Sequence, residues 1–119
     1  MDWIFDDSRP IWPQIKEQLM REIVAGRFKM GEPFPTVRDL AEEAKVNRNT
    51  MQRALSELET EGLIITNRTA GRTVTTDEKL VAQKRAEIAQ SSASRFLAEM
   101  FNLGYDIEDV RELINKGVK

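Results

Sequence analysis

No cysteine and no histidine occur among the 119 residues. The first absence removes disulfides and thiolate metal sites, and it suits a reducing cytoplasm. The second removes the commonest general base, the Ser–His and Cys–His nucleophile systems and most transition-metal sites. A catalyst would have to rely on carboxylates, Lys or Tyr, and the acids here fall on helical surfaces without an obvious shared cleft. Neither an enzyme nor a bound cofactor nor a metal is therefore expected. Long apolar runs are missing too, so no membrane partner is expected. Trp3–Phe5 is followed at once by Asp6 and Asp7, unlike a signal peptide, and the expected location is the cytoplasm. At this length the chain is one domain, or a small domain with an appendage.

An overall excess of positive charge is also lacking. The net charge is −2. Met1–Thr76 carries 11 Lys and Arg against 12 Asp and Glu, and Asp77–Lys119 carries 7 against 8. The charge is nevertheless unevenly placed. Ala44–Ser56 holds Lys45, Arg48 and Arg53 with no acid, and Ile65–Thr76 holds Arg68 and Arg72 with no acid. A basic strip on one face is what phosphate contact requires, whatever the global sum.

The stretch that organises the rest is Phe34–Thr76. Its periodicities predict helix, tight turn, helix and a two-stranded ribbon. In the second of these helices Met51, Leu55 and Leu58 form an apolar stripe that Ala54 widens. The opposite side carries Arg48, Asn49, Gln52, Arg53 and Ser56, with no acid before Glu57. Asn47 is suited to cap the helix. Positive dipole, free N–H donors and guanidinium groups then coincide at one helix tip, which equips it to meet phosphates and base edges. An ordinary solvated face would mix Glu with Lys; this half-helix does not.

Upstream, the leader MDWIFDDSRPIW reads as an extended piece in which Trp3, Phe5 and Trp12 are core or interface anchors rather than a base-stacking platform. A helix over Pro13–Ala25 follows, with Ile15, Leu19 and Ile23 as its stripe and Gly26 after its end. Phe28 and Met30 are expected to fold back on that stripe. Thr36 caps the next helix, with Asp39 three residues on, and Val37, Leu40, Ala41 and Ala44 face inward. Only Lys45–Val46–Asn47 separates this helix from the one capped by Asn47, and so short a turn forces a steep crossing. Leu63–Thr66 and Thr73–Thr75, bridged by Asn67–Arg72, form a hairpin tipped by Arg68 and Arg72.

The segment PIWPQI…GEPFPTVRDLAEEAKVNRNTMQRALSELETEGLI, with the GRTV hairpin after it, resembles the winged helix–turn–helix domain of the GntR family of bacterial transcription regulators. The resemblance spans about Pro10–Thr76. It implies a mainly α fold with a small β-wing, with residues 1–76 as the DNA-binding domain. It also implies that Arg38 contacts a phosphate or base, and that Arg48, Asn49 and Thr50 open the recognition helix. From the residues alone, Arg38 pairs with Glu42 one turn on; the resemblance favours DNA. Gln52 stands where many members have Arg, and Arg53 follows it. Gln pairs well with adenine and Arg with guanine, so the operator readout should shift accordingly. Gly71 matches the second glycine of the wing tip. Thr69 replaces the usual first glycine, and Thr73 a common aromatic, which makes the minor-groove contact of the wing less secure than the role of the helix.

The tail, residues 77–119, reads as two helices. A helix of about 28 residues, roughly 40 Å, is expected to start from a Thr75 or Thr76 cap and to run to Leu103. A shorter one, capped by Asp106, continues through Asn115 with Ile107, Val110, Leu113 and Ile114 inward. Ala82, Ala86, Ala89, Ala93, Leu97 and Met100 form a seam on the long helix, and Phe96 flanks it. Alanines in register admit another helix closely, which suggests a homodimer interface over an intrachain seam against the first helix. Two helices cannot enclose a metabolite pocket within one subunit, and a small-molecule effector stays unknown. So short a tail looks like the YtrA-like subfamily, whose members are dimeric repressors, often of transporter operons.

Together these features lead to the expectation of a dimeric repressor that binds double-stranded DNA at a pseudo-palindromic operator. Two rivals are a winged-helix protein-interaction module without DNA binding, whose arginines meet an acidic partner, and a carboxylate-dependent enzyme.

Overall fold

The computed structural model describes residues 1–69 and 71–117. The elements follow in the order α1 (Ile11–Val24), α2 (Val37–Ala44), α3 (Arg48–Thr60), β1 (Ile64–Asn67), β2 (Gly71–Val74), α4 (Glu78–Asn102) and α5 (Ile107–Gly117). Two compact units result, one ending at Arg85 and the other beginning at Ala86. The division falls inside α4, later than the boundary at Thr76 that the sequence suggests. The first turns of α4 belong with the N-terminal unit for a visible reason. Val81 is buried, and Arg85 Nε donates to the Val24 carbonyl at 2.9 Å, which places a cation at the negative end of α1.

In the N-terminal unit, α1 and α2 both pack on α3. Ile15, Leu19 and Ile23 of α1 meet the expected stripe of α3, and Met51, Ala54, Leu55 and Leu58 are completely buried. Leu40, Ala41 and Ala44 from α2, with Leu63, Ile64 and Val74 from the hairpin, complete the core. α1 begins two residues earlier than Pro13 suggests. Pro10 takes the N-cap position and Pro13 falls within the first turn, where its missing N–H would have had no intrahelical partner.

The leader is held by two glutamines one turn apart on α1. Gln18 exchanges hydrogen bonds with the backbone of Ile4, at 3.1 and 2.7 Å, and Gln14 with that of Asp6, at 2.7 and 2.8 Å. These amides stand in for a neighbouring strand, which explains why the polar Gln14 is buried. Trp3 stacks on Phe5 and donates its indole N–H to Glu43 of α2 at 3.2 Å.

The antiparallel hairpin pairs Ile64 with Val74 and Asn67 with Gly71, so its turn is tighter than the Asn67–Arg72 bridge expected. Gly71 opens β2 at φ +70°, a conformation that favours glycine. The proline-bearing loop does more than connect. Gly31 N–H donates to Val74 O, Val74 N–H to Glu32 O and Phe34 N–H to Arg72 O, all within 2.9 Å. Residues 31–34 therefore form a third edge on β2, and Pro33, which has no N–H to donate, is tolerated there. Phe28 packs on Phe34 with ring centroids 4.9 Å apart. Met30, expected to fold back in the same way, is 43% exposed because the loop is committed to the sheet edge.

α4 starts at Glu78 rather than from a Thr75 or Thr76 cap. Asp77 caps it by accepting from Leu80 N–H at 3.1 Å, while Thr75 Oγ1 accepts from Asp77 N–H at 3.0 Å and orients the entry. In the C-terminal unit Asp106 and Asp109 cap α5 reciprocally, each carboxylate accepting the other's backbone N–H at 2.9 Å. The inward stripe expected on α5 reduces to Val110. Ile107, Leu113 and Ile114 are 42%, 42% and 52% exposed, because two helices bury only one narrow line between them.

Candidate nucleic-acid interface

The tip of α3 is built by the turn before it. α2 closes on Lys45, which takes a left-handed φ of 58° that side chains other than glycine seldom adopt. That residue reverses the chain within three positions. Asn47 then caps α3, its Oδ1 accepting from Asn49 N–H at 2.7 Å. The same pattern holds one helix earlier, where Thr36 Oγ1 accepts from Asp39 N–H at 3.1 Å.

Arg48 and Asn49 stand exposed in the first turn, with Thr50 half-buried beside them. Among the described residues Arg48 has no ion-pair partner, so its guanidinium is available at the positive end of the helix. Gln52, one turn on, is exposed and donates from Nε2 to Ser56 Oγ at 3.0 Å. Arg53 is exposed as well, and its guanidinium carbon lies 4.2 Å above the centre of the Trp12 ring. The α3 residues Arg48, Asn49, Gln52 and Arg53 thus share one solvent-facing surface, opposite the buried Met51–Leu55–Leu58 stripe.

Glu59 and Glu61, the acids at the exit of α3, are directed elsewhere. Glu59 accepts from the Thr66 hydroxyl and lies 3.4 Å from Arg72 Nε. That contact lacks hydrogen-bond alignment and is an ion pair only. Glu61 pairs with Lys16 of α1 and, at 2.9 Å, with Lys84 of α4. Burial would push the Glu61 carboxyl up, but hydrogen bonds and charge from the two lysines outweigh it and hold the carboxyl below its ordinary value. The exit of α3 is therefore neutralised by internal partners while its entry keeps unopposed positive charge.

The remaining predicted contacts divide. Arg38 pairs with Glu42 at 3.5 Å, and both side chains are well exposed. Such a surface pair is weak and readily exchanged for a phosphate. Arg68 and Thr69 are exposed at the turn of the hairpin, whereas Arg72 is drawn back against α3 by Glu59. Of the two arginines assigned to the wing, only Arg68 stands out from it. Thr73, in place of an aromatic, accepts from Asn67 Nδ2 across the strands at 2.9 Å and pins the ribbon by a hydrogen bond instead. Two features were not foreseen. The Trp12–Arg53 contact has no local signature, since the partners lie in different helices, and the pairing of residues 31–34 with β2 was hidden by two prolines. No group of His, Cys, Asp and Glu among the described residues could hold a metal ion, and none of the helices is long and apolar enough to cross a membrane.

A three-helix core, a two-stranded wing and a cationic α3 tip define a winged helix–turn–helix DNA-binding protein. The sequence matches the family described as bacterial regulatory proteins, gntR family, over residues 13–74. The chain is 32% identical to the uncharacterised HTH-type transcriptional regulator YhcF of Bacillus subtilis, with 94% of this chain and 93% of that protein aligned. It is 29% identical to the HTH-type transcriptional repressor YtrA of the same organism, over 92% of this chain and 85% of the relative. Among solved structures, a GntR family transcriptional regulator from Listeria monocytogenes superposes with a TM-score of 0.86 at 37% identity, covering 95% of this chain and 99% of that one. The chain belongs to the GntR family and is a DNA-binding transcriptional regulator. The family is one of regulators, which is not an enzyme class.

Proposed function

We propose that the protein acts in the cytoplasm as a homodimeric repressor of a pseudo-palindromic operator. The observation that carries this reading is the apolar surface of the C-terminal unit. Phe101, Leu103, Ile107, Leu113 and Ile114 are all at least 42% exposed, and the alanines at 86, 89 and 93 of the same unit are exposed as well, as is Ala82 in the first turns of α4. The exposure of these alanines supports a seam with a second chain. An exposed apolar patch rimmed by polar residues marks an interaction surface. Small residues at helical spacing fit a second helix, and a like copy of the chain supplies one. Phe96, Leu97 and Met100 extend the line towards the end of α4.

In a two-fold dimer the two α3 tips would meet successive major grooves, about 34 Å apart. Arg38, Arg48 and Arg53 would anchor phosphates and fix the register. Asn49, Thr50 and Gln52 would read base edges, and Arg68 with the backbone at Gly71 would approach the minor groove. Occupying a promoter in this way excludes polymerase. The similarity to the YtrA repressor supports the sign of regulation, and the YtrA-like resemblance points to a transporter operon as the target.

Sedimentation of Ala89→Glu tests the reading. Ala89 is exposed in the single chain, so the change leaves the fold intact and places two like charges near the two-fold axis. Monomer with unchanged circular dichroism is the expected result, whereas a persisting dimer would place the interface elsewhere. Selection of bound duplexes from random DNA should return an inverted repeat with half-sites spaced by about one helical turn.

A further inference from the structure

We propose that Trp12 is a positioning residue for Arg53, holding its guanidinium ready for the duplex without cancelling its charge; this rests on the operator-binding reading above. Arg9, Arg27, Arg38, Arg72 and Arg111 are each held by a carboxylate. A carboxylate fixes an arginine and neutralises it in the same contact, and it occupies the N–H groups that a phosphate or guanine would use. Arg53 is fixed differently. Its guanidinium carbon sits 4.2 Å from the centroid of the Trp12 ring. An aromatic face attracts a cation through its quadrupole and leaves the net positive charge in place. It also accepts no conventional hydrogen bond, so the in-plane N–H donors of Arg53 stay available for bidentate recognition.

The placement suits that task. Trp12 is the second residue of α1, where the helix fixes its backbone, and its ring is half-buried while Arg53 is exposed. Asn49 lies four residues before Arg53 on α3, on the same face. A free arginine gives up considerable rotamer freedom on binding, and prior ordering removes part of that cost. The sequence makes Trp12 a core or interface anchor in an extended leader; the structure sets it in α1 against Arg53 at the recognition surface.

The test is a double-mutant cycle on a duplex that the wild-type protein has itself selected, with the salt dependence of affinity measured for each variant. Trp12→Leu should weaken binding about three- to fivefold with the salt slope unchanged, since every cation remains. Trp12→Phe, which keeps an aromatic face, should recover most of that loss. Arg53→Ala should lower the salt slope by about 1 per half-site, and in that background Trp12→Leu should cost nothing more. A Trp12→Leu penalty that persists without Arg53, or that lowers the salt slope, would show that Trp12 supports the fold alone and overturn the proposal. Failure of the wild-type protein to retain any duplex would be seen before a variant is made. It would remove the operator reading and this inference together, whereas a vanished coupling removes only the inference.

Discussion

The two units of this chain handle apolar residues in opposite ways. Up to Arg85, the stripes of α1, α2 and α3 close on each other, and large side chains of α1, α3 and the hairpin, Ile15, Leu19, Met51, Leu55, Leu58 and Ile64 among them, are completely buried. From Ala86 onward, Val110 alone is buried among the described residues, although the sequence there is rich in Ala, Leu, Ile and Phe. The same residue types therefore mean different things. Three helices and a hairpin enclose a volume, whereas two helices share only a line. The first unit is a finished core, and the second has the composition of half of one. In the proposed dimer, the unit that reads DNA carries its own core, and the unit that sets the spacing is completed by a partner.

The largest expected effect breaks the second unit alone. Ala89→Glu should weaken association by about 3–5 kcal/mol, the scale of an uncompensated charge in an interface, with no loss of secondary structure; sedimentation equilibrium measures it. A matched pair of truncations sharpens the contrast. Leu55→Ala should destabilise by about 2–5 kcal/mol at any protein concentration. Leu113→Ala should change the stability of the dilute chain by under about 1 kcal/mol and show its cost only where dimer forms. Equal losses in chemical denaturation at low concentration would show that the C-terminal unit has its own core after all.

Within the first unit, Arg48→Ala should cost on the order of 1–3 kcal/mol of operator affinity per half-site, and an unchanged gel shift would remove Arg48 from the interface. The exposed place of Arg48 at the start of α3 was legible from sequence because local chemistry decides it. An Asn cap, an acid-free first turn and a buried stripe on the far side fix both the start of α3 and its outward face. The caps at Thr36, Asn47 and Asp106 were readable for the same reason. What escaped depends on contacts between distant segments. Arg72 is drawn from the wing by Glu59, and Trp12 meets Arg53 across two helices. Asp77, rather than a threonine, caps α4. The inward stripe expected on α5 failed on a different count: periodicity tells which face is apolar, but not whether the same chain covers it.

The smallest effect concerns the clasp that joins α1, α3 and α4 within the first unit. Glu61, three-quarters buried, meets Lys16 and Lys84, whose side chains are similarly enclosed. Burial disfavours its charge, yet the lysines lower its folded-state pKa below the ordinary 4.5. A carboxyl with a depressed folded value stabilises the fold in full above its unfolded pKa, and this contribution fades as pH falls through the folded value. Glu61→Gln should therefore cost about 1 kcal/mol at neutral pH, and the gap from the wild-type protein should begin to close below about pH 4.5. Between that point and neutral pH the gap should be flat, because the chain contains no histidine. A gap that widened on acidification would mean that the carboxyl is proton-bound in the fold, and that burial rather than the lysines governs it.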